Sequence, residues 1–166
     1  FRSDGIFAIA ELIRRGARMD KLAEITMITP LFLESIARIV EMENILKGKP
    51  NDLKALRAAK MMGFADKTIA ELWNTDELSV WKTRRESGIT PNFPMVDTLH
   101  TGTYIPYLYS SYSLPNASIR TDKKKVVVLG AGPIRIGQGV EFDYSTVHAV
   151  QTIRRNGYEA IIINNN

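Results

Sequence analysis

Residues 126–139 read VVVLGAGPIRIGQG, and this stretch decides the fold of the C-terminal part of the chain. Its first four residues are continuously apolar, which is typical of a strand buried on both faces of a parallel sheet. Apolar residues within 147–153 then recur at helical spacing, and residues 158–163 form a second strand-like run that is apolar except for Glu159. We therefore predict a strand–loop–helix–strand unit of the right-handed parallel type.

The glycine-rich loop of this unit lies where backbone N–H groups and a helix N-terminus can hold an anion. A dinucleotide site is one interpretation, but Gly137 comes late for a third glycine and Pro133 removes a donor. The Gly-Lys-Ser/Thr ending that a P-loop requires is also missing from this loop. A close-packed turn that has room only for glycine is the alternative.

Two carboxylates follow this loop. Glu141 and Asp143 are expected near the start of the helix, where negative charge is mildly favourable, and Arg135 can pair with either of them. Helix capping alone is an equally good interpretation of Asp143. The residue types therefore leave the role of this stretch open.

Residues 1–88 alternate short helical patterns with stop signals, which predicts six short helices in one compact domain. Thr29 and Pro30 form a start signal, Asn51 is expected to start the fourth helix, and Thr75 is expected to cap the last. The apolar residues expected to face the core are Ile6, Ile9, Leu12, Ile13, Phe32, Leu33, Ile36, Ile39, Val40, Ile45, Leu53, Leu56 and Ala59.

The character of the chain changes at about residue 89. Four prolines within 89–117 break helices and predict an extended, wrapping segment. The same segment carries tyrosines at 104, 107, 109 and 112. We expect them to pack in a core or between domains, with a ligand-stacking face as the alternative.

The charge and composition of the chain exclude some classes of function. The net charge of +4 comes from scattered cations, which favours a solvated surface over a nucleic-acid footprint. Cysteine is absent, which excludes disulfides and thiolate metal sites, and His100 and His148 lack the spacing of metal ligands. No apolar run reaches the roughly 18 residues of a membrane span. We predict no metal, nucleic-acid or membrane partner.

One alternative function rests on residues 66–86, which resemble a helix-turn-helix. The first helix of this motif requires a small residue, and Ala70 lies at that position. Asn74 can adopt the left-handed conformation of the turn, and Val80 can pack between the two helices. Arg84 and Arg85 could contact phosphate. Against DNA binding, the second helix begins with two acidic residues at the end that should approach the bases.

The run from Leu129 to Tyr144, LGAGPIRIGQGVEFDY, closely resembles the start of the second synthetase unit of carbamoyl phosphate synthetase large subunits. The sequences GFAD at 63–66, GITP at 88–91 and VDT at 96–98 resemble the connecting, or oligomerisation, domain of that family. The chain ends where the Pro-Glu-Thr sequence of the family would begin, so we expect a segment of a longer protein.

The resemblance implies a mainly α fold, with a multihelical connecting domain over 1–117 and the start of a Rossmann-like, pre-ATP-grasp unit over 118–166. The parent enzyme would be an ATP-grasp ligase making carbamoyl phosphate for pyrimidine and arginine synthesis in the cytoplasm. It would use ATP with Mg or Mn, and K, whereas this segment would bind no cofactor and hold no catalytic residue. The implied partners are the rest of the large subunit, a small glutaminase subunit and a second copy.

The resemblance also assigns residue roles. Gln138, Gly139 and Glu141 match positions that line a carbamate tunnel, and the remaining matches are structural: Gly130, Gly132, Pro133, Arg135, Gly137 and Asp143.

Some positions depart from the family pattern. Residues 99–104 lack its acidic residue, Pro94 and Met95 replace a basic position, and Ser145 and Thr146 replace a cysteine pair. An inter-domain salt bridge near residue 100 is therefore in doubt.

Overall fold

The computed structural model describes residues 4–97, 100, 102–130, 132 and 141–163, and the chain divides into two compact units. Unit 1 comprises residues 1–118 and unit 2 comprises residues 119–166. In the described part, unit 1 is helical with two isolated β-bridges, and unit 2 holds a parallel strand pair with one helix. The predicted fold class, mainly α followed by a β–α–β unit, is confirmed.

The helices of unit 1 are short except for the third. They are α1 (Gly5–Arg14), α2 (Met19–Thr26), α3 (Pro30–Gly48), α4 (Leu53–Met61), α5 (Asp66–Trp73) and α6 (Glu77–Glu86). The 19 residues of α3 give it a length of about 28 Å, and it packs against α1, α2, α4 and α5.

Aspartate caps fix the starts of α4 and α6. Asp52 Oδ1 accepts a hydrogen bond of 2.8 Å from the N–H of Ala55, and Asp76 Oδ1 accepts the equivalent bond at 2.9 Å. The predictions that Asn51 starts α4 and Thr75 caps α6 were wrong by one residue. In each case a carboxylate immediately follows, and it satisfies the first free N–H groups of the helix.

Other predicted helix boundaries are confirmed. Pro30 begins α3, although the Thr29 side chain makes no capping hydrogen bond, so the fixed φ of proline carries the start signal. Gly63, with a φ of 90°, follows α4, and Asn74, with a φ of 55°, ends α5 in the left-handed region.

Unit 1 has two apolar clusters, which α3 joins. The first contains Ile9, Leu22 and Leu33. The second contains Leu46, Ala55, Leu56, Ala59, Phe64, Ile69, Ala70, Trp73, Val80 and Ile89. Six residues predicted to face the core are instead exposed: Ile6, Leu12, Phe32, Ile39, Ile45 and Leu53. The error arises because short helices in a small unit bury a narrower stripe than their apolar pattern suggests.

The described residues of 89–117 contain two isolated β-bridges and no helix or named strand. Antiparallel bridges join Asn92 to Ser111 and Met95 to Leu108, so the segment folds back on itself. Tyr112 packs against the second cluster, and the other three tyrosines of the segment are exposed. Packing in the core of unit 1 is therefore confirmed for Tyr112, whereas the other three tyrosines lie outside this core and their packing between domains stays a prediction.

Unit 2 consists of β1 (Lys125–Leu129), α7 (Glu141–Arg155) and β2 (Glu159–Ile163). The strands pair in parallel, with Lys125 opposite Glu159 and Leu129 opposite Ile163. The prediction that both faces are buried is wrong for the described part, since Leu129 is 77% exposed. Two strands and one helix leave a sheet face without a covering layer.

Candidate functional site

The carboxyl ends of both strands of unit 2 lie at one edge. The N–H of Gly130 donates to the carbonyl of Ile163 at 2.8 Å, which extends the ladder one step beyond β1. Gly132 follows with a φ of 77°, a left-handed conformation that favours glycine. The glycine loop and the chain after β2 therefore start side by side, at the edge where open α/β sheets hold ligands.

The predicted tunnel residues are only partly described. Glu141 is the first residue of α7 and is exposed, so its carboxylate stands at the positive end of the helix. Asp143 lies in α7, but its side chain is outside the described part. Five further predicted residues are also outside it: Pro133, Arg135, Gly137, Gln138 and Gly139. Their roles stay predictions.

A buried charged cluster, unrecognised in the sequence, joins α4, α5 and α6. We call Lys60, Asp66 and Arg84 the Asp66 cluster. Lys60 Nζ donates to Asp66 Oδ1 at 2.7 Å, and Arg84 Nε donates to Asp66 Oδ2 at 2.6 Å. The three side chains are only 8–12% exposed. Each carboxylate oxygen thus has its own cation, which is the geometry that makes a buried ion pair tolerable.

Two backbone carbonyls complete the cluster. Lys60 Nζ donates to the carbonyl of Phe64 at 2.7 Å, and Arg84 Nη1 donates to the carbonyl of Ile89 at 3.4 Å. The cations therefore hold the turn before α5 and the start of the extended segment.

The ring of Tyr112 lies over the same cations. Its centroid is 5.1 Å from Lys60 Nζ and 6.0 Å from Arg84 Cζ, both within the range of cation–π attraction. The Asp66 cluster therefore fixes the extended segment to the helices as well as the helices to each other. Sequence spacing could not reveal a pair that lies 18 residues apart.

Burial alone would raise the pKa of the Asp66 carboxyl, but the hydrogen bonds from Lys60 and Arg84 outweigh it and hold this pKa below its ordinary value. A carboxyl with a lowered pKa stabilises the fold at every pH above its unfolded pKa of about 3.9. That contribution is lost as the pH falls through the lower, folded pKa.

We therefore expect the stability difference between the chain and its Asp66→Asn variant to be constant from pH 7 to about 5 and to shrink below about pH 4. Urea unfolding followed by tryptophan fluorescence measures it. Both tryptophans, Trp73 and Trp81, lie in unit 1, so the signal reports that unit. A stability difference that grows as the pH falls would contradict the lowered pKa of the Asp66 carboxyl.

The structure contains the helix pair of the helix-turn-helix alternative, but both arginines that were expected to contact phosphate are engaged within the chain. The α5–α6 turn is present and Val80 is buried between its neighbours, as predicted. However, Arg84 is engaged by Asp66, and Arg85 Cζ stacks 4.9 Å from the centroid of Trp81. DNA binding therefore gains no support from this pair.

No group of three or more His, Asp or Glu side chains within the described ranges could hold a metal ion.

A groove of about 320 Å³ lies beside α4 and is lined mostly by apolar groups, among them Leu53, Met61 and Ile89. Its lining has no carboxylate or imidazole to act as a general base.

Comparison with protein families gives two consecutive matches. Residues 2–88 match the carbamoyl-phosphate synthetase large chain, oligomerisation domain, and residues 122–166 match the carbamoyl phosphate synthase preATP-grasp domain. Both domains come from a ligase, and the first match alone covers more than half of the chain. The chain belongs to the carbamoyl phosphate synthetase large chain family. The resemblance inferred from the glycine-loop pattern and the upstream sequences is therefore confirmed.

The family match also bears on association. The description of residues 2–88 as an oligomerisation domain indicates a role in self-association, which is consistent with the predicted second copy as partner. Among the described residues, no helix is both long enough and apolar enough to cross a membrane.

Proposed function

We propose that this chain is the non-catalytic connecting segment of a carbamoyl phosphate synthetase large subunit. It links the two synthetase halves, contributes to self-association and supplies one wall of the carbamate tunnel. The observation that carries the proposal is the order of the two family matches, an oligomerisation domain over residues 2–88 and, after residues 89–121, a preATP-grasp domain over residues 122–166. The parent enzyme makes carbamoyl phosphate from bicarbonate, ammonia and two ATP in the cytoplasm, for pyrimidine and arginine synthesis.

Catalysis and cofactor binding belong to other parts of that enzyme under this proposal. ATP, with Mg or Mn, and K bind to the synthetase halves, and ammonia comes from the small glutaminase subunit. The closed charge pairing of unit 1 supports a structural role, since each oxygen of Asp66 is already occupied by a cation. A group held in that way is unsuited to proton transfer.

The tunnel role rests on Gln138, Gly139 and Glu141. A small residue at 139 keeps a passage open, and a carboxylate at 141 orders polar contacts along it while repelling phosphate. The position of Glu141 as the first residue of α7, the helix that follows the glycine loop, supports this proposal.

In the large subunit that contains this segment, we expect Gly139→Val to uncouple the two halves. ATP hydrolysis continues, because neither nucleotide site is touched, but carbamoyl phosphate formation falls at least tenfold since carbamate no longer passes. Parallel assays of phosphate release and of carbamoyl phosphate formation measure the ratio of the two activities, with Ala149→Val at an exposed position of α7 as the control for adding a valine side chain. Equal loss of both activities, or of neither, contradicts the tunnel role.

A further inference from the structure

We propose that the amino edge of the unit 2 sheet is a basic surface that binds a carboxylate-rich segment of a partner protein. This inference rests on the proposed connecting role and adds the chemistry of one of its contacts. The surface, called here the basic edge, presents five exposed cations from two separate stretches of the chain: Arg120, Lys123, Lys124, Arg154 and Arg155.

The parallel pairing of the strands brings the two stretches to the same edge. Lys125 at the start of β1 lies opposite Glu159 at the start of β2, and the N–H of Glu159 donates to the carbonyl of Lys124 at 2.9 Å. The N–H of Gly157 donates to the carbonyl of Arg154 at 3.0 Å, so the chain passes from α7 to β2 in a tight turn. The arginines that end α7 therefore lie near the lysines that begin β1.

The basic edge holds the whole charge excess of the chain. Residues 120–125 and 154–159 contain six basic residues and two acidic ones, and this excess equals the formal net charge of +4 of all 166 residues. The rest of the chain is therefore neutral on balance. Folding gathers at one edge of unit 2 a positive charge that is divided between two stretches of the sequence.

One of the two carboxylates is already engaged within the edge. Glu159 accepts a hydrogen bond from the Thr121 hydroxyl, and its Oε2 lies 3.6 Å from Lys125 Nζ. The hydrogen bond from Thr121 and the charge of Lys125 hold the pKa of Glu159 below its ordinary value. Within the described part of the chain, no hydrogen bond or ion pair engages the five side-chain cations of the basic edge. Glu159 thus offsets Lys125 and leaves those five for an external anion.

Helix electrostatics explain only part of this charge. Cations in the last turn of a helix are stabilised by its dipole, which accounts for Arg154 and Arg155. Arg120, Lys123 and Lys124 belong to no helix. Like charges gathered on a small surface repel one another, and an acidic partner removes this repulsion on binding.

The size and composition of the basic edge favour protein carboxylates over nucleic acid. Paired strands lie about 4.8 Å apart and a packed helix lies about 10 Å away, so the edge is roughly 10–15 Å across. A DNA site commonly neutralises about 6–10 phosphates, which is more than five cations can contact. Tyr158, which is 41% exposed, lies between α7 and β2 at this edge, and tyrosine and arginine are enriched together in protein interfaces.

The test is a titration of a short, fluorescently labelled polyglutamate peptide with the 166-residue chain at low ionic strength, followed by fluorescence anisotropy. The double variants Lys123→Gln/Lys124→Gln and Arg154→Gln/Arg155→Gln each remove two charges from one of the two stretches. We expect each variant to raise the dissociation constant about tenfold, because two exposed charge contacts are lost where salt screens them little.

The matched control is Lys47→Gln/Lys49→Gln, which removes the same charge from exposed positions of unit 1 and should change the dissociation constant less than about twofold. Circular dichroism checks that all three variants keep their helices. Equal weakening in the control would mean that the peptide responds to net charge alone, which overturns the inference. It is also overturned if only one of the edge variants binds more weakly, since the two stretches would then not form one surface.

A short duplex DNA in the same titrations separates the classes of partner. We expect the edge variants to weaken polyglutamate binding more than DNA binding. The opposite order in both variants would assign the basic edge to nucleic acid, and no measurable polyglutamate binding would also overturn the inference. These titrations do not measure self-association or carbamate passage, so a failure here leaves the proposed function standing.

Discussion

Replacing Asp66 by asparagine is expected to lower the free energy of unfolding of unit 1 by about 3 kcal/mol at pH 7. The amide has nearly the same shape as the carboxylate, so the loss is that of its charge. Lys60 and Arg84 would stay in a site where they are 8% and 12% exposed, with no anion between them. Urea unfolding followed by tryptophan fluorescence gives the change in free energy.

The control for this substitution is Asp76→Asn. Asp76 caps α6 from an exposed position, and asparagine caps helices about as well as aspartate, so we expect a change below about 0.5 kcal/mol. Equal effects of the two substitutions would mean that the Asp66 cluster has no special part in the stability of unit 1.

Truncating Leu56 to alanine is expected to cost about 3 to 4 kcal/mol in the same unit. Leu56 is 0% exposed at the centre of the second cluster, and its loss leaves a cavity that the surrounding helices can only partly fill. Because the second cluster includes residues from α3 to Ile89, the lost contacts affect most of unit 1. The fluorescence-detected urea midpoint should fall accordingly.

Leu53 on the same helix provides the matched comparison. It is 46% exposed, so Leu53→Ala removes the same atoms from a site with much less buried surface and should cost less than about 1 kcal/mol. Equal losses at positions 53 and 56 would show that the second cluster does not form as described.

Local signals predicted the helices of unit 1 well because start and stop chemistry depends on nearby residues. Pro30 and Asn74 act through their own backbone conformations, so the sequence alone is enough to place them. The starts of α4 and α6 were displaced by one residue, since Asn51 and Thr75 each precede an aspartate that competes for the same cap.

Features that depend on distant residues could not be predicted. Asp66 and Arg84 meet across a helix–helix contact, and no spacing rule for one helix covers such a pair. The exposed apolar side chains are a further case, because Phe32 fits a core pattern and only the packed structure leaves it at the surface.

The glycine-loop site shows a different limit. The pattern from Leu129 to Tyr144 is long enough to identify the family, which the comparison confirms. The tunnel role of Gly139 comes from the resemblance alone, because the chemistry of a glycine does not reveal what occupies the space around it.

The most direct test of the connecting role is a pair of sedimentation-equilibrium runs on the 166-residue chain, one alone and one with ATP, Mg²⁺ and bicarbonate. The proposal predicts self-association that depends on concentration, with the same association constant in both runs, because the segment links and oligomerises without binding substrates. A strict monomer, or an association constant that shifts with the ligands, would contradict it.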